Sequence, residues 1–455
     1  MKDGALQLLR MFGVNRAIGF GVLTRLWSAL AGPLTILLIA TRFSKVEQGY
    51  YYTFSSVLAL QIFFELGLLT VLAQFAAHEF AFLSWGDKGD IRGSEAHRDR
   101  FIDLLGKGLK WYSISAVLLI LVLIPVGFLF FSQRAGDAVD FSWRLPWALA
   151  VTGVGCNLLL IPFYAVITGS GDVASINRRE MVGGMAGSLS GWLVIACGGG
   201  LYAIPAVTTG TIVVGVLYLV RSKPFLVKTA FARAFGTLRP SHTLSWRGEV
   251  WPMQWKIALS WVSGYFVFQL FTPVLFKYHG PVVAGQMGMT LAVENGVQGI
   301  CLTWLNVKSP EFGKFIALKS WKQLNDIFNK MFRQLTIVRI ILSSLLLSFF
   351  CILNAYTSTG SRFIPVPQIV LLEITAYANL FISIWATYMR SHRQEPMLPI
   401  SIIGAIMIGV STLIIGRKYG GFGITISMCL ITLAYSTPAT YSLFLKFKNN
   451  YNLLQ

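Results

Sequence analysis

Charge is scarce in this chain, and negative charge scarcest of all: Asp, Glu, Lys and Arg make up 13% of 455 residues, with 19 acidic against 38 basic side chains. Soluble domains carry about a quarter charged residues, so a water-soluble globular class is excluded. Cysteine is rare too. Cys156, Cys197, Cys301, Cys351 and Cys429 are odd in number, sit in apolar surroundings and show no CxxC spacing, which supports neither a disulfide framework nor a zinc site. They read as small packing residues. The five histidines, His78, His97, His242, His279 and His392, are scattered without an HExxH pair, and no GxSxG elbow occurs. Without a Walker A sequence, direct ATP hydrolysis has no basis. Residues 1–16 spread their basic side chains and show no small-residue cleavage pattern, so no cleavable signal is expected and the first apolar run is the targeting element.

What fills the chain is hydrocarbon. Hydrophobic residues reach 55% and the mean hydropathy is +0.63. Apolar runs long enough to cross a bilayer fall at about 18–40, 50–77, 111–131, 146–168, 181–198, 201–220, 251–276, 281–306, 335–353, 366–389, 397–416 and 420–445. The fold class is therefore an all-α polytopic membrane protein of about twelve transmembrane helices. The expected layout is an interfacial segment at 1–16, a first six-helix half at 17–220, a basic connector at 221–250, a second half at 251–448 and a tail at 449–455. The two halves would enclose a central cavity. With span ends counted with their side, about 29 Lys and Arg fall on the side of the N-terminus and about 8 opposite, which places both termini in the cytoplasm. The net charge of +19 is thus chiefly an orientation signal, and no nucleic-acid partner is implied.

Ionisable residues inside spans are costly and mark functional sites by default. Arg25 lies roughly 10 Å into the first span at 1.5 Å per residue. It either snorkels to the headgroups or faces a cavity, and the second reading is preferred. Pro33, in the same span, marks a bend that is either a gate or a static kink. Glu65 stands mid-span, four residues after Gln61, and Glu294 stands four before Gln298 in the corresponding helix of the second half. Four residues is one helical turn, so each carboxylate shares a face with an amide. Glu373, about eight residues into its span from the outer side, is expected to be shallower and to face the cavity or an outer vestibule.

Other stretches point to structure. Gly183, Gly187 and Gly191, four apart, favour close helix packing. The loop from His78 to Lys110 mixes both signs too evenly for a nucleic-acid patch, and its FIDLLGKGLKWY end reads as an amphipathic run entering the third span. Phe312, Phe315, Ile316, Trp321, Leu324, Phe328, Met331 and Phe332 recur at spacings of three and four between lysines, the pattern of a helix lying in the inner interface. Trp143, Trp147, Trp251, Trp255, Trp304 and Trp385 fall near span ends, as interface anchors do. Asp137 and Asp140, the acidic pair of the longest outer loop, read as solvated.

QGYYYTFSS (48–56), FFELGL (63–68) and QFAAHE (74–79), with TRLWSALAG (24–32) and the region 284–324, resemble bacterial polysaccharide flippases of the Wzx type. Those belong to the MOP superfamily, with the lipid II flippases and the multidrug and toxin extrusion (MATE) transporters. The resemblance implies a MATE-like fold in the bacterial inner membrane. The implied activity is to carry an undecaprenyl-pyrophosphate-linked O-antigen or capsule repeat unit, a step of lipopolysaccharide or capsule biosynthesis, from the inner to the outer leaflet by alternating access. It places Arg25 where the superfamily has a cavity arginine and Glu65 where it often has a carboxylate. On this reading Arg25, Gln61, Glu65, Glu294 and Gln298 bind substrate, and Glu65, Glu294 and Glu373 are candidates for proton or sodium coupling. No catalytic residue, resident cofactor or metal is expected. Expected partners are membrane lipids, the lipid-linked oligosaccharide and other polysaccharide-assembly proteins, around a monomeric transport unit. A MATE-like multidrug or cation exporter is the alternative, and a membrane glycosyltransferase or polymerase a third.

Overall fold

The computed structural model describes residues 16–134, 136, 141–236, 238, 240–392 and 396–452, so the interfacial segment expected before Arg16, and Asp137 and Asp140, lie outside the described residues. In chain order, α1 is Arg16–Arg42, running unbroken through Pro33. Next, α2 is Lys45–Leu58, prolonged by turns at Ala59–Gln61 and Ile62–Glu65, and α3 is Leu68–Phe80. A short antiparallel hairpin follows, β1 Leu83–Trp85 with β2 Ile91–Gly93. Helices α4 Glu95–Ser132, α5 Arg144–Leu158, α6 Ile161–Gly169, α7 Val173–Ala196, α8 Ala203–Ser222 and α9 Pro224–Phe235 come next. The remainder comprises α10 Trp251–Phe268, α11 Phe271–His279, α12 Pro281–Ala317, α13 Trp321–Tyr356 and α14 Val366–Ser391. The chain closes with α15 Leu398–Ser411, α16 Arg417–Ile431 and α17 Thr437–Asn452.

Each of the twelve predicted spans is mostly helical, with interruptions inside those at 50–77, 146–168 and 251–276. Among the described residues, seven helical runs are long and apolar enough to cross a membrane, or nine with two bent pairs counted as spans. Of the remaining predicted spans, α7 and α12 have the length but more polar sequences. The run from Leu398 contains two predicted spans, separated at Gly420, where φ is +63°.

The chain forms two compact units. The first holds the described residues up to Arg42 and Val57–Val262; the second holds Phe43–Ser56 and the chain from Ser263 onward. In the first, the glycine stripe does what its spacing predicts. Gly187 is so close to α8 that an added methyl would sit 2.8 Å from Thr211 Oγ1 and 2.9 Å from the Val207 carbonyl oxygen. Trp147, expected at an interface, is fully buried instead, donating from Nε1 to the Leu123 carbonyl at 3.1 Å over the space left by Gly127. The basic connector is held down by acids of the preceding loop and α4. Asp103, without solvent exposure, bonds Arg233 Nε at 2.9 Å, the Leu244 backbone N–H at 2.8 Å and Lys107 Nζ at 2.7 Å. Buried Glu79 bonds His97 and Arg100, and Arg100 reaches Glu249 at 2.7 Å. The mixed loop and the basic connector therefore neutralise one another.

In the second unit, Gln48 of the QGYYYTFSS motif is buried and donates to the carbonyls of Gly285 and Arg362, both at 3.0 Å, while accepting from Arg362 Nη1 at 3.0 Å. A methyl on Gly49 would lie 2.0 Å from the Pro281 carbonyl oxygen, and one on Gly288 2.4 Å from Tyr52 Cβ. The motif thus fastens the start of α2 to α12, backbone against backbone. The stripe expected in the inner interface, as a connector with an apolar underside, packs that underside within protein: Phe312, Leu324, Phe328 and Met331 are buried with Trp385, Tyr388, Phe444 and Phe447 of α14 and α17. Its spacing of three and four records a buried face, and lipid and a neighbouring helix select the same residues for such a face. All five cysteines are free; Cys301 and Cys429 are buried, and Cys156, Cys197 and Cys351 lie on exposed helix surfaces.

Candidate functional site

Local backbone chemistry creates the setting of Glu65. The predicted 50–77 span is not one helix: it breaks immediately after Glu65, where Leu66 (φ +51°) and Gly67 (φ +64°) both turn left-handed, and the two parts meet at 44°. Glycine adopts this conformation freely, whereas an L-residue such as Leu66 does so at a cost of about 1–2 kcal/mol. Gly67 is also pressed against α10; a methyl there would lie 2.6 Å from Ile257 Cγ2. Glu65 is therefore the last residue of its turn, buried, with the Tyr112 hydroxyl of α4 donating to Oε1 at 3.5 Å. Gln61 is half-buried one turn earlier.

Glu294, Gln298 and Glu373 come together in the second unit around a residue the sequence reading passed over. Arg339 of α13 has no solvent exposure, and its Nη2 donates to Glu294 Oε1 and to Glu373 Oε2, each at 2.7 Å. Its Nη1 approaches Gln298 Oε1 at 3.4 Å, and Ser343 donates to Glu373 Oε2 at 2.6 Å. The shared face expected for Glu294 and Gln298 exists, because one guanidinium touches both. Glu294 and Glu373, expected at different depths, bring their carboxylates to the same nitrogen. Arg339 stands only five residues inside the predicted 335–353 span, where a basic residue reads as a span end. Its position inside an apolar run, the signal used for Arg25, was present all the same.

Two carboxylates share one guanidinium, so the group carries an excess negative charge if all three are ionised. Glu294 Oε2 and Arg339 Nε are buried without hydrogen-bond partners, which leaves one acceptor and one donor unsatisfied. A cleft of about 420 Å³ lined by Ser343, Leu347, Glu373, Tyr377, Phe381 and Thr437, among others, reaches the Glu373 side. Arg25, by contrast, is exposed on α1 beside exposed Leu23 and Leu26, and forms no ion pair or hydrogen bond among the described residues. Glu65 takes its bond from Tyr112, not from Arg25. The two arginines within predicted spans thus differ in kind: Arg339 is buried between two carboxylates and Arg25 is exposed.

No protein-family model matches the chain, and no curated protein matches it. Solved structures do. The chain is similar to an inward-facing multidrug-resistance MATE transporter of the MOP superfamily, at 12% identity and TM-score 0.58 over 93% of this chain and 99% of that one. It is similar to a MOP superfamily transporter from Pyrococcus furiosus at 12% identity and TM-score 0.53, covering 95% and 94%. It is also similar to the lipid II flippase MurJ in an inward closed conformation, at 14% identity and TM-score 0.55, covering 96% and 91%. The protein has the all-α, multi-pass MATE-like fold of MOP transporters. At these identities the likeness establishes the fold alone, and activity rests on the residues.

Proposed function

We propose that this protein carries an undecaprenyl-pyrophosphate-linked oligosaccharide, an O-antigen or capsule repeat unit, from the inner to the outer leaflet of the bacterial cytoplasmic membrane by alternating access. The observation that carries the reading is Arg25: a guanidinium placed within a predicted span, exposed, and not neutralised by any described carboxylate. Such a group forms charge-assisted, bidentate bonds with pyrophosphate or acidic sugars. Coupling falls to the Glu294–Arg339–Glu373 group. A proton or a sodium ion balances its second carboxylate, and loss of that ion leaves an uncompensated buried charge that the surrounding helices must relieve by moving. Gln298 supports the guanidinium, and Glu65 with Gln61 forms a second polar position beside the break in α2.

Proteoliposomes holding a fluorescent isoprenoid-pyrophosphate oligosaccharide on one leaflet test this directly. The intact protein should move the label, Arg25→Ala should abolish movement while leaving the protein inserted, and Arg25→Lys should retain part of it. A cation exporter is favoured instead by one feature, the excess of acid over base around Arg339. That reading requires cationic-dye transport that survives Arg25→Ala and is lost in Glu294→Gln.

A further inference from the structure

A second charged cavity lies in the first unit, apart from all the residues above. It opens between the start of α7 and the end of α8, has a volume of about 570 Å³, and is lined by Arg178, Arg179, Arg221 and Lys223 with Asp172, Tyr218 and apolar residues. Four cations face one carboxylate. Asp172 is already engaged by Lys223 at 3.2 Å, and the Lys223 ammonium lies 3.7 Å from the centre of the Trp85 ring, so that cation is fixed in place. Arg179 is fixed as well, its guanidinium 3.8 Å over the Tyr164 ring in space that Gly215 leaves open. Yet Arg179 Nε is buried with no hydrogen-bond partner. Arg178 and Arg221, which line the same cleft, form no ion pair or hydrogen bond among the described residues, so the cleft presents cations without acceptors.

The walls say what kind of acceptor. Val182 and Leu217 line the cleft and are exposed, and Val213, Val216, Leu189 and Leu193 on the same two helices are exposed as well. Arg221 occupies the last turn of α8, and Arg178 and Arg179 the second turn of α7, at the end of the spans that the charge asymmetry assigns to the inner leaflet. A ligand there meets cations at its head and hydrocarbon-compatible surface along its length. We infer that this cleft is a binding site for the phosphate headgroup of an anionic phospholipid, with Arg178, Arg179 and Arg221 as its ligands and its acyl chain lying along Val182, Val213 and Leu217. A zwitterionic lipid presents the same phosphate together with a quaternary ammonium, which the cations repel, so selectivity for net negative lipid follows.

Native mass spectrometry of the full-length protein, released from detergent containing equal amounts of phosphatidylglycerol and phosphatidylcholine, reads this site. Retention should favour phosphatidylglycerol in the intact protein. It should fall by about tenfold in Arg221→Gln, the effect of losing roughly one charge-assisted hydrogen bond. Leu217→Trp fills the cleft from an exposed position without altering charge or core, and should lower retention equally. Equal retention of both lipids, or unchanged retention in both variants, overturns the inference. Displacement of phosphatidylglycerol by an equal concentration of inorganic phosphate overturns the lipid assignment and makes the ligand a soluble phosphate.

Discussion

Removal of Arg339 is the sharpest perturbation of the buried group. In Arg339→Gln, Glu294 and Glu373 lose the nitrogen that each contacts at 2.7 Å, so their facing oxygens stand no more than about 5.4 Å apart with nothing between them. With the proton or sodium ion still balancing one carboxylate, the other is left as an uncompensated buried charge, which costs the ~3–5 kcal/mol seen when one partner of a buried pair is removed. For a chain of this size that is a fall of roughly 3–5 °C in thermal midpoint. Unfolding followed by tryptophan fluorescence in detergent should show it. The triple change Arg339→Met, Glu294→Gln and Glu373→Gln should recover most of the loss, because replacing a whole buried ionic group is close to neutral. The reasoning fails if Arg339→Gln melts with the parent protein, or if the triple variant is no more stable than the single one.

Further outcomes follow from the same geometry. Gly67→Ala forces a Cβ onto a left-handed residue 2.6 Å from Ile257 Cγ2 and should destabilise by about 1–2 kcal/mol from the backbone alone, with Ile257→Ala recovering the steric part in the same melt. Gly187→Leu should lower the thermal midpoint by separating α7 from α8, whereas Gly184→Leu, at a position with nothing within 4 Å, should not. Asp103→Asn strands Arg233 and Lys107 and should cost about 3 kcal/mol, read as faster proteolytic cleavage of the chain between α9 and α10. Tyr112→Phe removes one long bond to Glu65 and should cost under about 1 kcal/mol, so any large loss of transport in that variant would assign the hydroxyl a role in the cycle.

How much of this was legible in the sequence varied with the physics involved. Helical spans were, since twenty apolar residues in a row have few other fates, and so was the stripe of Gly183, Gly187 and Gly191. The break after Glu65 was not: Gly67 in FFELGL looks like any tolerated helical glycine, and its close approach to Ile257 joins residues far apart in the sequence. Trp147 and Trp385 sit near span ends as anchors would, yet Trp147 is buried against Leu123 and Trp385 against Phe444. Position along a helix does not say which way a ring points. The motif that carried the family resemblance proved to hold a packing device, Gln48 and Gly49 against α12, while Arg339, outside every motif, organises the largest buried ionic group of the second unit.

The central claim concerns what crosses the membrane, and one measurement addresses it in the native host. With the gene deleted, the lipid extract is analysed for isoprenoid-pyrophosphate oligosaccharides and their sidedness is probed with an impermeant sugar-modifying reagent. The account predicts accumulation of a complete repeat unit whose sugars are shielded on the cytoplasmic face, restored to normal by the intact gene and not by Arg25→Ala. Normal lipid intermediates and an intact surface glycan, with raised sensitivity to cationic drugs, would contradict it.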